Sequence, residues 1–133
     1  MNLRVEKHHP LVTTVHLPLP TADSERWFLL RSDAHHDNLH CDQALERRHL
    51  EQARERDAGI LDIGDLFCAM QGRWDKRADQ EQMRSELRGN DYLDRLVAYC
   101  GDFYQPYASH WVLLSPGNHE SLVVKHHATN LSE

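Results

Sequence analysis

In Arg26-Trp-Phe-Leu-Leu-Arg-Ser-Asp-Ala-His35 a short apolar run stops abruptly at a serine, an aspartate and a histidine. A run of this length and composition reads as a buried strand whose carboxyl end delivers polar side chains. The same pattern returns twice: Ile60-Leu-Asp-Ile63 leads into Gly64-Asp65, and His110-Trp-Val-Leu-Leu-Ser115 leads into Pro116-Gly117-Asn118-His119. Between the first two runs, residues 41–58 are good helix formers almost throughout. Ala44, Leu45, His49, Leu50 and Ala53 form a narrow apolar stripe there, and Gly59 reads as the stop. Residues 91–104 return to helical spacing, with Leu93, Leu96, Val97 and Cys100 on one side, and a short helix is expected over residues 121–128. Upstream, the β-rich stretch 11–19 reads as a first strand ending at Pro20. The charged stretch 71–88 reads as a loop plus a short helix.

Strand, helix, strand, helix, strand is an α/β order, most simply a right-handed, mostly parallel sheet flanked by helices. Ligand sites in such sheets gather at the carboxyl ends of strands. Asp33/His35, Asp65 and Asn118/His119, far apart in sequence, are therefore expected to meet on one edge of the sheet.

The totals fit one domain over residues 1–133. A net charge of −6, with a pI near 6.0, argues against a basic nucleic-acid binder. It leaves nucleic acid open as a substrate, because bound divalent cations reverse the local field at a phosphate site. No apolar run approaches the roughly 20 residues that span a bilayer, and no signal-type stretch comes after the first residues, so a soluble cytoplasmic protein is expected. Cys41, Cys68 and Cys100 are odd in number and irregular in spacing, which suits reduced thiols rather than a disulfide framework.

Ser32-Asp33-Ala34-His35, Gly64-Asp65 and Gly117-Asn118-His119-Glu120, in this order, resemble the first three signature blocks of the calcineurin-like metallophosphoesterase superfamily. The wording HHDNLHCD after the first block and GDLF at the second is similar to small bacterial and phage-associated members. The resemblance implies hydrolysis of a phosphate ester, a phosphodiester or nucleotide, by a metal-activated hydroxide at two divalent ions, Mn, Zn or Fe. It implies that Asp33 and His35 hold the first ion, that Asp65 bridges, and that Asn118 offers its amide oxygen to the second. It gives His119 the catalytic role of hydrogen-bond donor or general acid at the leaving oxygen, a role suited to an imidazole. Gly117 is expected to let the backbone turn sharply beside the ions.

The sequence departs from that pattern as well. Complete members carry a further histidine and then a Gly-His-x-His pair. No Gly-His-x-His occurs here, and His126 and His127 lie too close behind the third block to be assigned as the missing ligands. The fold expected is accordingly a partial metallophosphoesterase sandwich with its second sheet missing or incomplete. Its second metal site is incomplete, and apolar surface lies exposed where that sheet would dock. A partner chain or a missing carboxyl-terminal half would complete it. The alternative is a truncated, inactive relative that serves as a weak metal-binding or interaction module. Cys68 stands where many members have aspartate.

Several neighbours carry two readings. His36 and Asp37 are either hydrogen-bond partners behind the ligands or part of an exposed loop, and Glu120 either caps the last helix or orients a neighbour. Arg73, Lys76, Arg77, Arg84 and Arg88 either meet phosphate or belong to a mixed-charge face, and Trp74 either binds or anchors. His8, His9, His16, His40, His49 and His110 read as surface or packing residues. His126 and His127 read as part of the helix after the third block.

Overall fold

The computed structural model describes residues 4–9, 12–69, 79–127 and 131. It is mixed α/β. A hairpin of β1 (Arg4–His9) and β2 (Val12–His16) precedes β3 (Phe28–Arg31), α1 (Gln43–Glu55), β4 (Gly59–Asp62), α2 (Tyr92–Tyr104), β5 (Trp111–Leu114) and α3 (Asn118–His127). Strands β3, β4 and β5 form a parallel sheet in that order, with Phe28 opposite Gly59, Arg31 opposite Asp62, and Asp62 opposite Leu114.

Strand β2 does not enter this sheet. It pairs antiparallel with β1, which the sequence reading did not foresee, in a separate two-stranded ribbon. Arg4–His9 alternates poorly and is charged, so pairing with its neighbour, rather than its own pattern, makes it a strand.

The helices also turn differently from the apolar stripes. Leu50 and Ala53 of α1 are buried, but Ala44, Leu45 and His49 are exposed. Gln43 and Glu46 face inward instead, because buried polar partners wait for them on β3 and after it. In α2 the buried set is Tyr92, Leu96, Cys100 and Tyr104, while Val97 is exposed. Asp42 caps α1 by accepting the Leu45 N–H at 2.9 Å. The left-handed residue past its end is Asp57, φ 47°, and Gly59 already belongs to β4.

Ile60, Leu50, Leu87, Leu96, Cys100 and Tyr107 form the centre of the core on the helix side of the sheet. On the other side Leu30 is 71% exposed, and Ile63, just past β4, is 64% exposed. Parallel strands are normally covered on both faces. Arg73, Trp74, Lys76 and Arg77 lie outside the described residues; the chain from Gln80 to Leu87 forms two 3-10 turns, Gln80–Gln82 and Ser85–Leu87. Among the described residues no helix is long and apolar enough to cross a membrane.

Candidate metal centre

Past β3 and β4 the two chain segments keep running side by side. The Asp33 N–H donates to the Gly64 carbonyl at 2.9 Å, His35 to Asp65 at 3.0 Å, and His36 to Leu66 at 2.9 Å. Asp33, His35 and Asp65 all adopt left-handed backbone, with φ of 53°, 43° and 56°. Each such residue costs on the order of 1–2 kcal/mol, and this strain concentrates at functional sites. The turns bring one donor atom from each of Asp33, His35 and Asp65 within 4.8 Å of one another.

The third block closes on the second. At Gly117 a Cβ would lie 2.2 Å from Asp65 Oδ1 and 2.3 Å from the Asp65 nitrogen. Glycine is required there for space: a side chain would collide with Asp65 at the strand end. Helix α3 begins at Asn118, three residues earlier than expected, so Asn118 and His119 occupy its first turn rather than a loop. Asn118 is exposed. The His119 N–H donates to Asp65 Oδ1 at 2.9 Å, and its ring meets that of His35 edge-on, centroids 4.7 Å apart. His119 Nδ1 donates to the Cys68 carbonyl at 2.6 Å, which leaves Nε2 as the other ring nitrogen available to a ligand.

Two buried carboxylates hold the loop between these blocks. Glu120 accepts the N–H groups of Asp65 at 3.2 Å, Phe67 at 2.9 Å and Gly117 at 2.8 Å. It thus both caps α3 and orients the second block, joining its two readings. Asp37 accepts from Cys68 N–H at 2.5 Å, Ala69 N–H at 3.0 Å and the Tyr92 hydroxyl at 3.0 Å. At 3% exposure it is not an exposed loop residue. Burial, then the charge of Asp37, pushes the Tyr92 phenol far up.

His36 is fully buried but turns elsewhere. Its Nδ1 donates to Glu46 at 2.6 Å, and its ring packs on Phe103 and Tyr104. Glu46 also receives the Tyr104 hydroxyl and the Arg31 guanidinium, and Arg31 reaches Asp62 at 2.8 Å. Burial alone would raise the Glu46 carboxyl, but hydrogen bonds from His36 and Tyr104 and the charge of Arg31 hold it down to about 2. Burial pushes Asp62 the other way, despite a bond from the Gly64 N–H and the nearby guanidinium. The sequence reading missed this network. Its signals were two charged residues inside apolar strands, Arg31 and Asp62, and the spacing of Gln43, Glu46, Leu50 and Ala53 along one side of a helix.

Carboxylate oxygen and imidazole nitrogen are donors for Mn, Zn or Fe. His35 Nδ1 is buried with no hydrogen-bond partner among the described residues, and an ion would satisfy it. A cleft of about 560 Å³ opens beside Asp33 and His35, with His40, Cys41, Glu46 and His49 on its walls. His126 and His127 fall in the last turn of α3, and their side chains lie outside the described residues. Comparison of the chain with protein-family profiles, characterised proteins and solved structures returns no match.

Proposed function

We propose that this chain carries a metal centre for the hydrolysis of phosphate esters, with a phosphodiester or nucleotide as the substrate class. The observation that carries the reading is the approach of Asp33, His35 and Asp65 donor atoms to within 4.8 Å. Asp33 and His35 would hold the first ion and Asp65 would bridge to a second, to which Asn118 adds its amide oxygen. Two divalent ions supply charge neutralisation at the phosphoryl oxygens and acidify a water. His119, with Nδ1 tied to the Cys68 carbonyl, aims its remaining nitrogen at proton transfer to the leaving oxygen. Glu120 and Asp37 hold the loop from which Asp65 projects. The cleft beside Asp33 has the size of small-molecule sites, roughly 300–1,000 Å³, and would receive the ester.

In this reading the three-stranded sheet is part of a calcineurin-like metallophosphoesterase sandwich. A second sheet and the remaining ligands come from a partner chain or a further segment. None of the three cysteines forms a disulfide, which suits the reducing cytoplasm.

A second reading is favoured by one observation, the bare sheet face at Leu30 and Ile63. It makes the chain an interaction module that binds metal without turnover. The purified chain, supplied with Mn²⁺ and a generic phosphodiester, separates the two. Turnover abolished by Asp65→Asn supports the enzyme; no turnover with Mn²⁺, Zn²⁺ or Fe²⁺ leaves the module.

A further inference from the structure

We infer that His35, Cys68 and His119 form a thiolate-containing zinc site that overlaps the oxygen-rich one. One donor atom from each lies within 4.8 Å of the others. This group differs in chemistry from Asp33, His35 and Asp65. Manganese and magnesium prefer carboxylate and water, whereas a thiolate with two imidazoles suits zinc, which takes three protein ligands and leaves a fourth position open.

The surroundings of each residue fit ligation. His35 Nδ1 is buried and lacks a hydrogen-bond partner among the described residues. His119 gives its Nδ1 proton to a backbone carbonyl, the arrangement that fixes the tautomer of a metal-bound imidazole. That carbonyl belongs to Cys68 itself, so one loop positions both ligands. The loop is held by Asp37, which accepts the Cys68 and Ala69 N–H groups, and Ala69 is locked in left-handed backbone, φ 47°. The Asn38 side-chain amide donates to Cys68 Sγ at 3.5 Å, a contact that stabilises negative charge on sulfur. When zinc binds, the S–H bond breaks, the sulfur pair forms the S–Zn bond and the proton leaves to solvent.

A consequence for regulation rests on the hydrolytic reading above. Both His35 and His119 serve that reaction, so zinc held with Cys68 withdraws them and inhibits.

The test uses the whole chain under reducing conditions with cobalt as the spectroscopic substitute for zinc. A thiolate-to-cobalt charge-transfer band in the near ultraviolet is expected in the wild type, in Cys41→Ser and in Asp33→Asn, and is lost in Cys68→Ser. Zinc affinity, by competition with a chromophoric chelator, is expected to fall at least about tenfold in Cys68→Ser. X-ray absorption at the zinc edge of the wild type needs no variant and should show one sulfur among nitrogen ligands. A zinc shell of nitrogen and oxygen only, or a cobalt band that survives Cys68→Ser, overturns the site. A negative result in these zinc and cobalt measurements does not decide the manganese-dependent turnover assay, so the two ideas fail separately.

Discussion

Gly117 and Asp65 occupy adjoining space so completely that a methyl group at position 117 would sit 2.2 Å from Asp65 Oδ1. Gly64 lies in the same crossing, where a Cβ would meet the Gly117 Cα at 2.7 Å. The second and third blocks therefore touch backbone to backbone, and the touching part is the residue assigned to bridge two ions. Gly117→Ala must push Asp65 away. We expect a loss of roughly 2–4 kcal/mol in stability. We also expect Mn²⁺ to raise the melting temperature of the wild type and not that of the variant. Thermal melts of both proteins with and without Mn²⁺ check this, and an alanine variant that keeps the manganese shift would contradict it.

Glu46 should leave a signature in acid. Its carboxyl titrates near 4.5 when unfolded and is held at about 2 in the fold, where hydrogen bonds from His36 and Tyr104 outweigh burial. A depressed carboxyl stabilises the fold above the unfolded value and ceases to do so as pH falls through the folded value. Wild type should therefore exceed Glu46→Gln by on the order of 2–3 kcal/mol near neutrality. The gap should narrow below pH ~4.5 and close toward pH ~2. Urea melts across that range measure it; a gap independent of pH would refute the assignment.

The Arg31 guanidinium reaches both buried carboxylates of this network, Glu46 at 2.5 Å and Asp62 at 2.8 Å. Arg31→Met strands them, and a buried ion pair broken on one side costs about 3–5 kcal/mol. Adding Asp62→Asn removes one stranded charge. The double variant should be more stable than the sum of the single effects implies, with a coupling of about 1–3 kcal/mol. Chemical denaturation of the two single variants and the double variant gives that coupling directly.

The three strands of the parallel sheet and the meeting of their ends were legible because each ends an apolar run with a residue of a different kind. Arg31, Asp62 and Ile63 show where reading by pattern stops: nothing local says that a charge inside a strand will be buried on the helix face while an isoleucine past one stays bare. The rotation of α1 was hidden for the same reason. Glu46 faces inward because Arg31 and His36 are there, and those partners lie 15 and 10 residues away in sequence. Cys68 was visible as a departure from the pattern of the family that the three blocks resemble. Its approach to His35 and His119 depends on Asp37 and Glu120 folding the loop back, which spacing alone does not encode.

Glu120 joins that loop to the helix, and its two oxygens are not equivalent. Oε2 accepts from Asp65 at 3.2 Å and Gly117 at 2.8 Å, while Oε1 accepts from Phe67 at 2.9 Å. Glutamine can place its carbonyl at the Oε2 position and keep both bonds, from the Asp65 and Gly117 N–H groups. Its NH₂ then faces the Phe67 N–H, which leaves one buried donor unsatisfied at about 1–3 kcal/mol. Alanine abandons all three donors. Glu120→Gln should therefore lower the melting temperature but change manganese affinity by no more than about threefold, whereas Glu120→Ala should weaken it about 10–100-fold, as loss of groups behind a ligand does. Equal losses of affinity in the two variants would mean that the charge of Glu120, rather than its hold on Asp65 and Gly117, is what the metal centre feels.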